Sequence, residues 1–221
     1  LITNHSLSIA GGSDKTTYSL GGSYLYQDGI MDVDNNYKRL NFRAAVDYNA
    51  TNWLKVGFNG VFSQSEQQVP NNAAWQKAFN CPPIVALYDK NNDKAFPNKY
   101  GSPDVLGYSS NFYNPIAFAE YYDSKNESYQ ALTNFYAQID FIPNKLNLRS
   151  NYSYSFLSTQ GREFTPAYYV SSWQQSTTTK LSKSENKYYN RIWDNTLTYN
   201  DQFGKHKVGA MVGMSMREEQ W

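Results

Sequence analysis

The sequence predicts an all-β protein, arranged as an antiparallel up-and-down meander of about eight long strands. Aromatic side chains make up 17% of the 221 residues and charged side chains only 18%, a composition typical of strand-rich chains. Apolar and polar residues alternate over long segments, which indicates strands with one apolar and one polar face. The connections between these segments are alternately short and long.

The alternation is clearest in residues 146–156, where even positions are apolar or aromatic except for Ser150 and odd positions are polar. The first strand is the weakest and rests on Leu7 and Ile9. The predicted strands span about residues 5–10, 16–27, 37–48, 53–64, 128–142, 146–157, 188–200 and 206–217. Several are much longer than the usual five or six residues of strands in globular proteins.

The connections between the predicted strands fall into a short class and a long class. Short, turn-forming segments follow the first, third, fifth and seventh strands, at residues 11–14, 49–52, 143–144 and 201–204. The other connections are predicted to be long, at about residues 28–36, 65–127 and 158–187. In a meander, this order puts every tight turn at one end of the sheet and every long loop at the other.

Long strands with tight turns at one end and long loops at the other are typical of bacterial outer-membrane β-barrels. A spanning strand there needs about 9–11 tilted residues, because hydrocarbon tolerates no unpaired backbone group. We therefore predict part of a larger transmembrane β-barrel. A soluble or surface carbohydrate-binding β-sandwich would instead pack two sheets face to face. A small closed barrel acting as an anchor or adhesin would pair its first strand with its last.

Composition excludes several other classes. No run approaches the roughly 18 apolar residues of a membrane-spanning helix. The net charge of +1 gives no electrostatic reason to expect a nucleic-acid partner. The single cysteine, Cys81, cannot form an internal disulfide or a four-thiolate metal site.

A series of short strings runs in order along essentially the whole chain, at residues 4–13, 18–20, 24–30, 37–43, 52–57, 82–84, 114–117, 194–199 and 206–208. Together they resemble the barrel of SusC/RagA-type TonB-linked outer-membrane proteins, the TonB-dependent transporters. The matches begin with Asn4-His5-Ser6 and include Asn114-Pro115. Each string alone is weak, and their order makes the resemblance strong.

The resemblance implies that residues 1–221 are a partial transmembrane barrel domain, a fragment just after the plug of a barrel of about 22 strands. It implies TonB-dependent nutrient import across the bacterial cell outer membrane, with oligosaccharides or peptides as substrate. A SusD-like surface lipoprotein and the TonB system are the implied partners. The chain opens at Leu1 without an initiator methionine or a signal peptide, so we expect an excerpt of a longer protein.

The two faces of the predicted strands differ in chemistry. In a wide barrel the polar face meets a wet lumen, and its charged residues would contact a plug or line a path: Arg43, Asp47, Lys55, Asp140 and Arg149. The ring-rich face would meet lipid: Phe42, Tyr48, Phe58, Phe62, Phe135, Phe141, Tyr154 and Phe156. Rings expected near strand ends suit interfacial girdles: Tyr48, Trp53, Tyr152 and Tyr199.

The long loops are where a ligand would bind. Residues 72–79 predict a short helix capped by Asn71 or Asn72, and Asn114-Pro115 predicts a second helix through Tyr121. Loops of this length with their own structure are usually functional. The aromatic candidates for stacking on a sugar are Trp75, Tyr88, Tyr108, Tyr168, Tyr169 and Trp173, although packing within the loops is the more common role of such rings.

No catalytic set is present, so the sequence predicts no enzyme and no cofactor. The histidines, His5 and His206, lie at strand starts, and no phosphate loop, zinc spacing or nucleophile motif occurs. Cys81 precedes two prolines in a loop and has no identifiable base.

A weak calcium candidate, Asp89, Asn91 and Asp93, has oxygen ligands at alternate positions. Lys94 and Tyr100 occupy the positions where a calcium loop needs Gly and Glu, so we predict no metal there. A second oxygen-rich cluster is Asp32, Asp34, Asn35 and Asn36, for which a polar loop tip is the favoured interpretation.

Overall fold

A computed structural model describes residues 1–108 and 112–221 and confirms the predicted all-β meander. The eight strands of the main sheet are β1 (Ile2–Gly12), β2 (Thr16–Asp28), β3 (Asn36–Asn49), β4 (Leu54–Gln68), β5 (Asp123–Ile142), β6 (Leu146–Thr165), β9 (Lys180–Phe203) and β10 (His206–Gln220). They pair antiparallel in the order β1-β2-β3-β4-β5-β6-β9-β10. A separate hairpin pairs β7 (Tyr168–Tyr169) with β8 (Gln175–Ser176). The α-helices are α1 (Ala73–Asn80) and α2 (Pro115–Glu120), and Pro103–Leu106 form a 3₁₀ helix.

The main sheet is a single open layer. Within the described residues, no second sheet packs against either of its faces, which disfavours a β-sandwich. β1 and β10 are the two edges and do not pair with each other, which disfavours a small closed barrel.

The first strand, β1, has 11 residues, so the prediction of a short first strand was wrong. Its Thr, Asn and Ser residues weakened the alternation without preventing pairing with β2.

The strands also run further into the long connections than the sequence predicted. β6 continues to Thr165 and β9 begins at Lys180, so the connection predicted at 158–187 spans only residues 166–179. The connection predicted at 65–127 spans 69–122. Apart from the pair Phe164 and Leu181, the extended ends of β6 and β9 carry polar residues on both faces, so the apolar alternation fades although the backbone ladder continues.

The connections fall at opposite ends of the sheet. Short turns join the strands at one end, at residues 13–15, 50–53, 143–145 and 204–205. Two of these turns contain a residue with positive φ, Asn144 (60°) and Gly204 (60°), where Asn and Gly meet little steric penalty. The long connections lie at the other end, at residues 29–35, 69–122 and 166–179. We call these the short-turn end and the loop end.

Strand register separates an apolar face from a polar face. Phe42 lies opposite Phe62, and Phe58 lies opposite Phe135, with the last two ring centroids 4.8 Å apart. Paired residues point to the same side of a sheet, so these rings share one face.

Two expectations about aromatic residues of the sheet need correction. Phe141 is the extra residue of a bulge between Asp140 and Ile142, and Tyr152 lies well inside β6 because that strand is longer than predicted.

The buried core of the described residues lies in the loops and not in the sheet. Tyr100, Ala117, Tyr121 and Val170 form one buried cluster that joins the connection 69–122 to the connection 166–179. We call these two connections together the loop unit. The sheet is one layer thick, so its large apolar side chains remain exposed.

Both predicted helices are confirmed. Asn114 caps α2, and its Oδ1 accepts a hydrogen bond from the Ala117 amide at 3.2 Å. At α1, Asn72 occupies the cap position without a side-chain hydrogen bond, and Asn71 Oδ1 accepts from the Ala73 amide at 3.1 Å. Neither helix, nor any other in the part of the chain that the structure describes, is long and apolar enough to cross a membrane.

Candidate functional site

A polar network covers the polar face near the short-turn end. The Tyr136 hydroxyl on β5 reaches across β4 and donates a hydrogen bond to Asp47 Oδ1 on β3 at 2.6 Å. Gly57 is the β4 residue between them, paired with Asp47 on one side and with Tyr136 on the other. A Cβ at position 57 would overlap both the Tyr136 ring and the Asp47 carboxylate. The missing side chain of Gly57 therefore makes this hydrogen bond possible.

Further charged groups extend the network. Lys55 Nζ lies 3.5 Å from Asp140 Oδ2, and Gln138 Nε2 donates to Asp140 Oδ1 at 2.8 Å. The Arg149 guanidinium lies 4.1 Å from the Tyr136 ring centroid, a cation–π contact. The surface is therefore ordered and carries both signs of charge.

All five charged residues named for the polar face lie on one face by register: Arg43, Asp47, Lys55, Asp140 and Arg149. Four of them belong to the network near the short-turn end. Arg43 lies further along β3, opposite Val61, with its side chain against Gly21.

The apolar face ends in a row of ion pairs toward the loop end. Lys125 Nζ lies 2.9 Å from Glu66 and 2.7 Å from Glu127, and Lys38 Nζ lies 3.7 Å from Glu66. These residues share the face of Phe62 and Ala131 by their parity along the strands. The band of rings is therefore bounded on this side by charged side chains.

Stacked tyrosines hold the loop unit together. The Tyr121 ring lies 4.4 Å from Tyr168 and 5.5 Å from Tyr100, between centroids. The Tyr100 hydroxyl donates a hydrogen bond to Glu120. Burial and that hydrogen bond raise the pKa of Tyr100, and burial also raises the pKa of Tyr121 and of Tyr168.

A pair of buried amides joins the two connections. The backbone amide of Asn114 donates a hydrogen bond to Gln174 Oε1 at 2.8 Å, and Gln174 Nε2 donates to the backbone carbonyl of Asn114 at 2.9 Å. Asn114 Nδ2 also donates to the carbonyls of Leu87 (2.8 Å) and Gly101 (3.0 Å). One residue thus caps α2 and ties together three segments of the loop unit.

The six loop aromatics named from the sequence are spread over the loop unit. Tyr168 packs against the buried cluster, and the backbone of Tyr169 pairs with Phe96. Tyr88 stacks on Tyr100 at 5.4 Å, and Tyr108 contacts Phe112 at 5.3 Å. Trp75 on α1 and Trp173 between β7 and β8 keep more than half of their surface exposed. The structure does not bring the six rings together into one platform.

The weak calcium candidate is used in turn formation. Asp89 Oδ1 accepts from the Asn91 amide at 2.9 Å, and Asp93 lies 3.7 Å from Lys99 Nζ. No group of three or more His, Cys, Asp or Glu side chains within residues 1–108 and 112–221 could hold a metal ion.

Burial raises the pKa of the Cys81 thiol, which disfavours a reactive thiolate.

Three features of the polar face and of the loop unit were not predicted from the sequence. Tyr136 follows the alternation as a polar-face residue, but nothing in the sequence pairs it with Asp47 across β4. The Gln174 amide lies 60 residues from its partner Asn114. The β7–β8 hairpin is too short to show a period. The one available signal was Gly57, since a glycine inside a strand often marks a close approach.

No protein-family model matches the chain. The chain is 28% identical to TonB-dependent receptor P3 of Formosa agariphila over 99% of its own length and 22% of that protein. It is 26% identical to TonB-dependent receptor P26 of the same organism over 98% of its length and 21% of that protein. The chain therefore spans about a fifth of the length of these curated relatives.

Solved structures share the fold. The structure of the RagAB peptide transporter matches 99% of the chain and 24% of its own, with a TM-score of 0.72 and 21% identity. The RagAB peptide importer in the "open-open" state matches 98% of the chain with a TM-score of 0.73 and 20% identity. The resemblance to SusC/RagA-type TonB-dependent outer-membrane proteins is therefore confirmed, and the chain has the fold of a segment of their β-barrel.

Proposed function

We propose that this chain forms part of the barrel wall and of the outer loops of a TonB-dependent nutrient importer in the bacterial outer membrane. The observation that carries the proposal is the single open sheet with one apolar face, one polar face and every long connection at one end. Similarity to two TonB-dependent receptors over nearly the whole chain supports it. In this arrangement the apolar face meets lipid and the loop unit lies outside the cell.

The polar face is proposed to line the lumen and to contact a plug domain. Its network of Asp47, Lys55, Tyr136, Asp140 and Arg149 presents donors, acceptors and charges of both signs, as a removable plug would require. A dry apolar contact would bind a plug too strongly for a cycle of opening and closing. No catalytic role is part of this proposal.

The proposed substrate is an oligosaccharide or a peptide, and the proposed partner is a SusD-like surface lipoprotein that covers the loop end. The two RagAB structures are those of a peptide transporter and a peptide importer, which supports the peptide alternative. The exposed rings of the loop unit, such as Trp75 and Trp173, support the sugar alternative.

The test is uptake by cells that express the full-length receptor carrying this chain. Labelled oligosaccharides and peptides are offered to cells with the receptor, without it, and with the receptor but without TonB. Uptake of one substrate class that needs both receptor and TonB supports the proposal. Uptake that is independent of TonB contradicts it, and co-purification from detergent tests the lipoprotein partner.

A further inference from the structure

Three cationic residues lie side by side on the apolar face of the sheet, toward the loop end. Lys125 of β5 pairs in register with Arg162 of β6, and Arg162 pairs with Lys183 of β9. Residues directly opposite each other have Cβ atoms about 4.5–5.5 Å apart, and like charges at that spacing destabilise a sheet. We call these three residues the cation row. Its mutual repulsion favours a position for bound anions beside it.

The carboxylates of the described residues offset only part of this charge. Glu66 and Glu127 pair with Lys125 at 2.9 and 2.7 Å, and Asp123 Oδ2 lies 2.7 Å from Arg162 Nη1. The Nε and Nη2 groups of Arg162 have no hydrogen-bond partner among the described residues. The guanidinium therefore keeps donors for a second acceptor.

The third cation, Lys183, makes no ion pair within residues 1–108 and 112–221. Glu185, two residues along the same face of β9, is engaged elsewhere: it pairs with Lys187 at 3.0 Å and accepts a hydrogen bond from Gln160 at 3.3 Å. The uncompensated charge of the cation row therefore lies at Lys183, beside the open donors of Arg162.

A surface cavity of about 570 Å³ lies at the cation row, a volume within the usual range of ligand sites. Most of its lining residues lie on the apolar face by their parity along the strands: Lys125, Glu127, Gln160, Arg162, Lys183 and Glu185. The cation row therefore borders a space on the side of the sheet that carries the rings.

The cation row lies beyond the band of rings. On this face of β5, Tyr129 is the ring nearest to the loop end, and Lys125 is four residues further along. Four residues span about 13 Å of strand, which a tilt of about 40° reduces to about 10 Å of height. Headgroups extend about 5–8 Å beyond the hydrocarbon, and long basic side chains reach across the remaining distance. With the apolar face in lipid, the cation row meets the headgroups of the outer leaflet.

The chemistry of the cation row suits a phosphate group. A guanidinium fork binds phosphate through two parallel hydrogen bonds, and an ammonium group adds a point charge. No group of three or more His, Cys, Asp or Glu side chains in the described part of the chain could hold a metal ion. Direct contact between cation and phosphate is therefore favoured over a bridge through a divalent ion.

We propose that the cation row binds a phosphate group of an outer-leaflet lipid, held between Arg162 and Lys183 while Lys125 adds positive charge. The proposal rests on the proposed function for the apolar face in lipid and the loop end outside the cell. It concerns the outer side of the barrel wall and not the path of an imported substrate.

The test is lipid binding by the full-length receptor in a neutral detergent, measured by native mass spectrometry. The probes are purified lipopolysaccharide, the same lipopolysaccharide after enzymatic removal of its phosphates, and inorganic phosphate. Arg162→Gln and Lys183→Gln are each expected to weaken binding of intact lipopolysaccharide about tenfold, since each removes one charge-assisted contact. Binding is expected to persist in EDTA.

The matched control is Lys180→Gln, which removes a lysine of the same strand from the polar face and is expected to bind as the unchanged receptor does. Arg162→Lys keeps the charge and is expected to retain part of the affinity. Lys183→Gln breaks no ion pair of the described residues, so its loss of binding does not reflect misfolding, and heat-modifiable migration checks its assembly.

Equal binding by Arg162→Gln, Lys183→Gln and the unchanged receptor overturns the proposal, as does an equal loss in Lys180→Gln. Undiminished binding of dephosphorylated lipopolysaccharide overturns the assignment to phosphate, and loss of binding in EDTA overturns direct contact. Variant-sensitive binding of inorganic phosphate alone overturns the lipid source. TonB-dependent uptake without lipid binding overturns this proposal alone, whereas lipid binding without TonB-dependent uptake overturns the proposed function alone.

Discussion

Tyr136 donates a hydrogen bond to Asp47 across a whole intervening strand, and the oxygen atoms lie 2.6 Å apart. The bond passes over Gly57, where a side chain would fill the same space. Three strands are thus tied together on the polar face by a contact that backbone pairing alone does not provide.

Gly57→Ala is expected to destabilise the barrel by about 1–3 kcal/mol, because the added methyl displaces the Tyr136 ring and breaks its hydrogen bond. Unfolding of the full-length receptor in urea, followed by tryptophan fluorescence, measures the change. Gly22→Ala is the control, since a Cβ there meets only a carbonyl oxygen at 3.8 Å. Equal stability of the two variants would show that the Tyr136 contact contributes nothing.

Phe58→Arg is expected to cost about 2–4 kcal/mol and to reduce assembly into the outer membrane, because it puts a cation on the face that is proposed to meet lipid. Its ring pairs with Phe135 on the apolar face. Asn59→Arg places the same charge on the opposite face of β4 and is expected to assemble normally. Heat-modifiable migration of membrane fractions distinguishes them. Similar loss in both variants would contradict the assignment of faces.

Gln174→Leu is expected to open the loop unit, because it leaves the buried backbone amide of Asn114 without a partner, at a cost of about 1–3 kcal/mol, and removes one of the two donors to the Asn114 carbonyl. Limited proteolysis should then cut within residues 85–122 faster than in the unchanged protein. Gln175→Leu changes the adjacent, exposed amide and should not alter cleavage. If both variants resist proteolysis equally, the buried pair does not hold the loops.

Alkaline pH is expected to loosen the loop unit. Burial and the hydrogen bond to Glu120 raise the pKa of Tyr100 above its ordinary 10.0, so the folded loop favours the neutral ring. An unfolded tyrosine loses its proton at the lower pH, so the contribution to stability is complete below about pH 10 and is lost above it. Hydrogen exchange of residues 95–122 between pH 9 and 11 measures the effect.

Tyr100→Phe is the matched variant for the alkaline transition. It keeps the ring and removes the ionisable group, so its loop unit should lose less protection between pH 9 and 11. Tyr121 and Tyr168 also have raised pKa values and preserve part of the pH dependence. Identical pH profiles for Tyr100→Phe and the unchanged receptor would exclude Tyr100 as a source of the transition.

The sequence predicted the sheet wherever one face is apolar. Leu146 to Phe156 alternate at every position except Ser150, and β6 forms there. The same strand continues through residues 158–163, where both faces are polar and the hydropathy pattern gives no signal. Local chemistry also predicted α2, because Asn114-Pro115 is a helix start by itself.

The loop contacts could not be predicted, because they join residues far apart in the chain. Asn114 lies in the connection between β4 and β5 and Gln174 in the connection between β6 and β9, so their contact depends on the pairing of all four strands. Such pairings depend on strand register, which a single sequence constrains only through its alternation.

The amide pair of Asn114 and Gln174 makes closure of the loop unit a readout of correct barrel assembly. Asn114 lies in the connection between β4 and β5, and Gln174 lies in the connection between β6 and β9. A slip of two residues between β5 and β6 keeps the faces matched but shifts the anchors by about 7 Å. Hydrogen bonds do not survive that displacement, so a misregistered barrel would leave its tyrosine-rich loops open to proteases.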